Sequence, residues 1–215
     1  MIKKVILLLI AVMLVSCGTK ESTDETKATL SVSILPQKYF VEEIAGDLFN
    51  INVMIPPGAS PATYEPTPMQ LTSLAATDLY LKIGYTAFEI SWMDKLISTN
   101  ETMKVVDLSE GVDLIMEKVH QHGDHHHGSV DPHIWLSPKN AKIISGNIYK
   151  ALSESYPEHQ SVFSANLKAL TMKMDSLDSY ISETVGNLER KSFMTYHPAL
   201  SYFARDYGLI QLPME

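Results

Sequence analysis

A single cysteine, Cys17, occurs in 215 residues, so no disulfide can close within the chain. No apolar run reaches the roughly 18–20 residues that a membrane-spanning helix needs, and the longest, Val5 to Val15, falls well short. Positive charge is scarce too: 17 Lys and Arg stand against 25 Asp and Glu, a formal charge of −8. Without a basic patch, nucleic acid is excluded as a partner. The metalloprotease spacing H-E-x-x-H does not occur, and "GASPA" carries Ala62 where a G-x-S-x-G nucleophile elbow needs glycine. There is no internal repeat, and the only low-complexity segment is a run rich in histidine.

What is present begins with an address. "MIKKVILLLIAVMLVSC" has a basic start, a short apolar core and then Leu-Val-Ser-Cys, which resembles a bacterial lipobox. Residues 1–16 therefore read as a lipoprotein signal peptide, with Cys17 as the lipidated first residue of the mature chain. "GTKESTDETKAT" has no aromatic or large aliphatic residue, so 17–29 reads as a flexible tether. Loss of the leader removes Lys3 and Lys4 and leaves 15 basic residues against 25 acidic ones.

From residue 30 the chain alternates. "LSVSILP", "INVMIP", "LYLKIG" and "MKVVDL" are β-prone runs. Between them, "PQKYFVEEIAGD", "TPMQLTSLAATD" and "AFEISWMDKLIS" have helical spacing. Met69, Leu71, Leu74 and Ala75 are expected to face inward. Strands separated by helices imply an α/β fold with a parallel sheet and right-handed crossovers, with ligands beyond the strands' C-terminal ends. From Pro157 to Leu188, Phe163, Leu167, Leu170, Met174, Leu177, Ile181, Val185 and Leu188 recur every three or four residues, which predicts one long helix. A coiled-coil segment, a bundle helix and a rigid strut all fit that periodicity. The return of strand–helix alternation at "SFMTY" and "PALSYFARDYG" favours the strut.

The chemistry sits in histidines. "HQHGDHHHG" places His120, His122, His125, His126 and His127, five of the chain's eight, within nine residues. Imidazole nitrogen suits zinc, copper or nickel, and adjacent histidines in a loop offer several overlapping weak sites rather than one rigid site. His133 differs. In "DPHIWLSP" it is braced by Pro132 and Pro138, Trp135 can pack beneath it, and Asp131 can accept its second ring N–H or cap a helix. His197 follows "SFMTY" and precedes a helix expected to open at Pro198, on a strand-to-helix turn where α/β ligands bind. His159, beside Glu158 and Gln160, reads as a surface residue.

"GASPATYEPTPMQL", "HQHGDHHHG", "DPHIWLSPKNA" and "YHPALSYFARDYGL", in that order, resemble the zinc-uptake substrate-binding lipoproteins of ABC importers, the cluster A-I metal-binding proteins. The resemblance covers nearly the whole mature chain. It implies a metal-binding N-terminal α/β lobe over 30–156 that includes the loop 120–128, an inter-lobe helix over 157–188, and the start of a C-terminal lobe over 189–215. It implies Zn2+ as cargo, with Mn2+ the weaker alternative, and metal ligands at His133 and His197. The family's first histidine usually follows Ser-Pro, where this chain has Ala62. Glu65 stands first as a substitute ligand, a loop histidine second, and Tyr64 or water last, because a carboxylate is anionic at neutral pH and a phenol is not. The family also has a further lobe beyond "QLPME" carrying a last carboxylate ligand, so the chain reads as C-terminally truncated. The function implied is extracytoplasmic metal capture and delivery to an ABC importer permease. The protein would be a monomer, lipid-anchored in the periplasm or on the cell surface, and would catalyse nothing. The alternative is an adhesin-like or structural lipoprotein with a residual metal site. A zinc hydrolase is disfavoured by the missing motifs.

Overall fold

The computed structural model describes residues 27–116 and 129–214. The signal segment with Cys17, most of the tether and the histidine loop 120–128 lie outside the described residues. Among those described, no helix is long and apolar enough to cross a membrane.

Four short strands build the main sheet: β1 (Thr29–Val32), β2 (Asn50–Val53), β3 (Thr77–Lys82) and β4 (Lys104–Asp107), all parallel, in the order β2-β1-β3-β4. Leu30 lies beside Ile51 on one side and Leu79 on the other. The crossovers are α1 (Leu35–Ala45), α2 (Pro68–Ala75) and α3 (Ala87–Thr99). Leu30, Val32, Leu79, Leu81 and Ile83 are fully buried, as expected of central strands covered on both faces. The expected α/β class with a parallel sheet is what forms. Gly46, at a φ of 63°, stops α1 at a positive φ that glycine adopts without strain.

The inward face of α2 differs from the expectation. Leu74 is buried and Leu71 half-buried, but Met69 is 77% exposed and Ala75 is also exposed. The cause is Gln70. Its amide donates to the Val53 and Met54 carbonyls at 3.2 and 2.6 Å, and its Oε1 accepts from the Tyr64 hydroxyl at 2.6 Å. A helix anchored through Gln70 buries the Gln70–Leu74 side and turns Met69, one residue earlier, outward.

Because β1 is flanked by β2 and β3, the chain reverses direction across the sheet between β1 and β3, the crevice where doubly wound folds usually hold a ligand. Here it is filled by the chain itself. Glu89, on the first turn of α3 and 3% exposed, accepts from Ile83 N–H at 2.7 Å, Gly84 N–H at 2.8 Å and the Ser33 hydroxyl. Ser33 Oγ also lies 2.9 Å from the Tyr80 hydroxyl. Burial pushes the Glu89 carboxyl up to about 7, against the opposing pull of Ser33, the two backbone N–H groups and Lys82.

Past β4, two long helices follow. The first, α4 (Pro138–Ser155), is 18 residues long and stands outside the strand–helix pattern that the sequence displays. Ile144, Ile148, Ala151 and Leu152 do recur at helical spacing on its buried side. That side also carries Asn140 and Ser145, which dilute the apolar stripe. After a 3-10 turn at Pro157–His159, α5 (Gln160–Gly186) runs 27 residues against α4 and α1. It is held by Asn166 donating to the Ile44 carbonyl at 3.0 Å and by the Lys142–Asp175 ion pair at 2.6 Å. Its apolar stripe is covered unevenly: Phe163, Leu170, Met174 and Val185 are buried, Leu177 is exposed, and Leu188 falls just beyond the helix's end.

The chain then forms a separate two-stranded parallel sheet, β5 (Ser192–Thr195) and β6 (Ile210–Pro213), joined through α6 (Ser201–Asp206). Pro198 does not open α6. Ala199 N–H folds back onto the His197 carbonyl at 2.8 Å, and Leu200 is the residue that caps the helix. The tight turn delays the helix by three residues and leaves His197 on the loop just past β5.

Candidate metal centre

His133 is set by its own segment. The bridge between Met116 and Val130 and the bond from Asp131 N–H to the Ile115 carbonyl (2.9 Å) hold the chain antiparallel just before it. Pro132 then turns the backbone, its carbonyl accepting from Ile134 N–H at 2.8 Å, and His133 caps a 3-10 turn over Ile134–Leu136. The Trp135 ring lies 5.3 Å from the imidazole, centroid to centroid. The His133 side chain is 20% exposed, enough to offer one edge of its ring outward.

Asp131 orients that ring. Its carboxylate, 4% exposed, accepts from His133 Nδ1 at 2.8 Å and from His133 N–H at 3.0 Å. Burial would raise the Asp131 carboxyl; the His133 ring, the His133 N–H and Ser201 outweigh burial and hold it below the usual carboxylate value. With Nδ1–H committed to Asp131, the Nε2 lone pair is free to bind a cation. Carboxylate-backed histidine is the usual support for a metal ligand.

His197 is exposed and arrives from the other sheet, 64 residues away. Its Nε2 lies 3.2 Å from His133 Nε2, the rings crossing at 76° with centroids 5.0 Å apart. Two nitrogens bound to one tetrahedral zinc at roughly 2.0–2.1 Å stand about 3.3 Å apart. The two imidazoles are therefore spaced as ligands of a single ion. The same spacing suits a hydrogen bond between the two ring nitrogens.

Neighbouring contacts lock the two segments together. Ser137 donates to Asp206, Lys139 Nζ to the Asp206 carbonyl at 3.1 Å, and Arg205 Nη1 to the Asp113 carbonyl at 2.6 Å. Sequence reasoning misses all of these residues. A pairing between residues so far apart along the chain leaves no local signature.

Glu65 is exposed and lines an open crevice of about 270 Å3 between loop residues Pro61–Glu65 and α3, whose lining includes Trp92 and Lys95 but neither histidine. Tyr64 in the same loop spends its hydroxyl on Gln70. Among the described residues no cluster of three or more His, Cys, Asp or Glu is arranged to hold a metal, so the pair stands without a third such side chain. His120, His122, His125, His126 and His127 lie outside the described residues, as does Cys17.

The family described as zinc-uptake complex component A, periplasmic, matches residues 31–215. The chain belongs to this family. The zinc-binding lipoprotein AdcA of Streptococcus pneumoniae (strain ATCC BAA-255 / R6) is 32% identical over 221 residues, covering 98% of this chain and 44% of AdcA. The manganese ABC transporter substrate-binding lipoprotein scaA of Streptococcus gordonii is 33% identical over 95% of this chain and 68% of its own length. A solved zinc-bound structure of ZnuA lacking residues 138–173 of its own chain is 37% identical, with a TM-score of 0.79 over 87% of this chain and 69% of that one. The chain thus spans less than half of AdcA and about two thirds of the other two.

Exchange of Asp131 for Asn should show how much the orientation of His133 matters. The amide keeps the shape but removes the charge that fixes the ring, and zinc affinity is expected to fall about 10- to 100-fold. Competition with a chelating dye measures it; unchanged affinity would mean that His133 is oriented without Asp131.

Proposed function

We propose that this chain captures zinc outside the cytoplasm and passes it to the permease of an ABC importer, without catalysing a reaction. The observation that carries the reading is the 3.2 Å approach of His133 and His197 Nε2, two imidazoles from distant segments meeting at one point. Membership of a family described by zinc uptake supports the cargo. Zinc is preferred to manganese because the chain concentrates imidazole, which suits zinc better than the oxygen-favouring manganese. The protein acts as a monomer tethered through a lipid on Cys17, in the periplasm or on the cell surface. In this reading 30–156 is the metal-binding lobe, 157–188 the connecting helix and 189–215 the opening of a second lobe.

Zinc titration of the full chain at neutral pH tests the reading, and a chain that binds no zinc ends it. The third ligand is tested in the same way. Glu65→Gln is expected to lower affinity about tenfold if Glu65 swings into the site, and Ala62→His to raise it by about the same factor by supplying a family-type imidazole. If Glu65→Gln leaves affinity unchanged while Ala62→His raises it, Glu65 is removed from the ligand set and a loop histidine or water takes its place.

A further inference from the structure

Tyr202, on α6, is fully buried and five residues beyond His197. Its hydroxyl donates to the Asp131 carbonyl at 2.7 Å and accepts from Ile115 N–H at 3.1 Å. In an antiparallel pair every other set of opposed residues exchanges two bonds, and the bond from Asp131 N–H to the Ile115 carbonyl marks these two as such a set. Asp131 N–H reaches the Ile115 carbonyl directly at 2.9 Å, but the return bond from Ile115 N–H to the Asp131 carbonyl is replaced by a relay through the Tyr202 oxygen. The ladder is wedged open by one phenol at the residue whose carboxylate holds His133. That phenol belongs to the helix that follows His197.

We propose that Tyr202 is a positioning residue for metal binding: its hydroxyl fixes the Asp131–His133 unit relative to the His197 segment and so sets the gap between the two Nε2 atoms. It touches neither ligand. Without the hydroxyl, Ile115 N–H and the Asp131 carbonyl either close the ladder directly or lose their partner. In both cases Asp131 moves relative to α6, and the two imidazoles lose their shared focus. A tyrosine serving only to fill the core would be matched by phenylalanine at no cost to the site. The inference rests on the zinc-binding reading above, and its test is separable from that reading.

The comparison is between Tyr202→Phe and Tyr207→Phe in the full chain. Tyr207, just past the end of α6, donates to Asp178 at 2.7 Å, so its exchange also removes one largely buried hydroxyl but leaves Asp131 alone. Zinc affinity is read by competition titration. Site geometry is read from the ligand-field absorption of the cobalt(II)-loaded chain, which reports coordination rather than stability. Tyr202→Phe is expected to weaken zinc about tenfold and to shift or weaken the cobalt bands, while Tyr207→Phe binds and absorbs as the unaltered chain does. Equal behaviour of the two variants, or unaltered affinity and spectrum in Tyr202→Phe, overturns the proposal while the zinc-binding function stands. If the unaltered chain binds no zinc, it is the function that fails. If Tyr202→Phe does not fold, amide hydrogen exchange of the unaltered chain decides: Ile115 N–H is expected to exchange at least tenfold more slowly with zinc than without, and an unchanged rate overturns the coupling.

Discussion

Replacing either His133 or His197 by alanine is expected to reduce zinc affinity by on the order of 100-fold or more. Apparent binding free energies of four-ligand structural zinc sites are about 10–16 kcal/mol, so each ligand accounts for roughly 3 kcal/mol, or about two powers of ten. The loss should be at the upper end here, because among the described residues no group of three His, Cys, Asp or Glu is arranged to hold a metal, Asp131 being spent on His133 Nδ1. The double variant should bind zinc more weakly than either single one, since it removes both imidazoles. His159→Ala is the matched control. That ring packs edge-on against Phe163 at 6.0 Å and lies near Glu158, away from the pair, so its removal should leave affinity unchanged. Titration with a competing chelator gives all four affinities. If the single variants bind as tightly as the unaltered chain, the 3.2 Å approach of the two rings has no functional meaning.

The two histidines are legible in the sequence because their signals are local. Prolines on both sides of "HIWLS" announce a braced imidazole, and a β-prone run followed by His-Pro announces a strand-to-helix turn. The sheet is legible for the same reason: each strand is a short apolar run ended by a turn, and the helices between them have a clear 3.6-residue period. What escapes depends on contacts between distant parts of the chain. Met69 is large and apolar and so reads as inward-facing, but the carbonyls at the end of β2 claim Gln70 and rotate the helix. The stripe on α5 has the expected helical period, yet its spacing says nothing about how far along the helix a partner extends, and Leu177 remains exposed while Leu188 falls beyond the helix's end. Tyr202 is one tyrosine among ten in the sequence; only the interrupted ladder between Ile115 and Asp131 distinguishes it. Glu89 is the sharpest case. An acid in "AFEISWMDK" reads as the polar face of an amphipathic helix, and the structure buries it.

That buried acid supports the second large expected effect. Glu89→Ala should destabilise the chain by about 3–6 kcal/mol, a large share of the roughly 5–15 kcal/mol that an ordinary domain has. The reason is what the substitution strands. Ile83 N–H, Gly84 N–H and the Ser33 hydroxyl all aim at one carboxylate between the ends of β1 and β3, and methyl can accept from none of them. Each stranded buried donor costs about 1–3 kcal/mol. The neighbouring backbone cannot simply relax into the gap. Gly84 sits at a φ of +123° with Ser109 packed against it, so a Cβ there would meet Ser109 at 3.1 Å. The sign of the pH dependence provides an independent check. The folded carboxyl, pushed up to about 7 from 4.5, holds its proton more tightly than the unfolded one. Its contribution to stability is therefore full below about pH 4.5 and lost as pH rises through about 7, a change on the order of 3 kcal/mol. Protonated, the carboxyl still accepts from the two backbone donors while its own O–H turns to Ser33 Oγ, so the network survives in acid. Denaturant melts at pH 5 and pH 8 should show the unaltered chain losing stability between them, beyond whatever its other groups contribute, and Glu89→Ala losing less. Were the variant as stable as its parent at both values, the three donors would have to be satisfied by water, and the crevice between β1 and β3 would be open to solvent rather than plugged by the chain's own side chain.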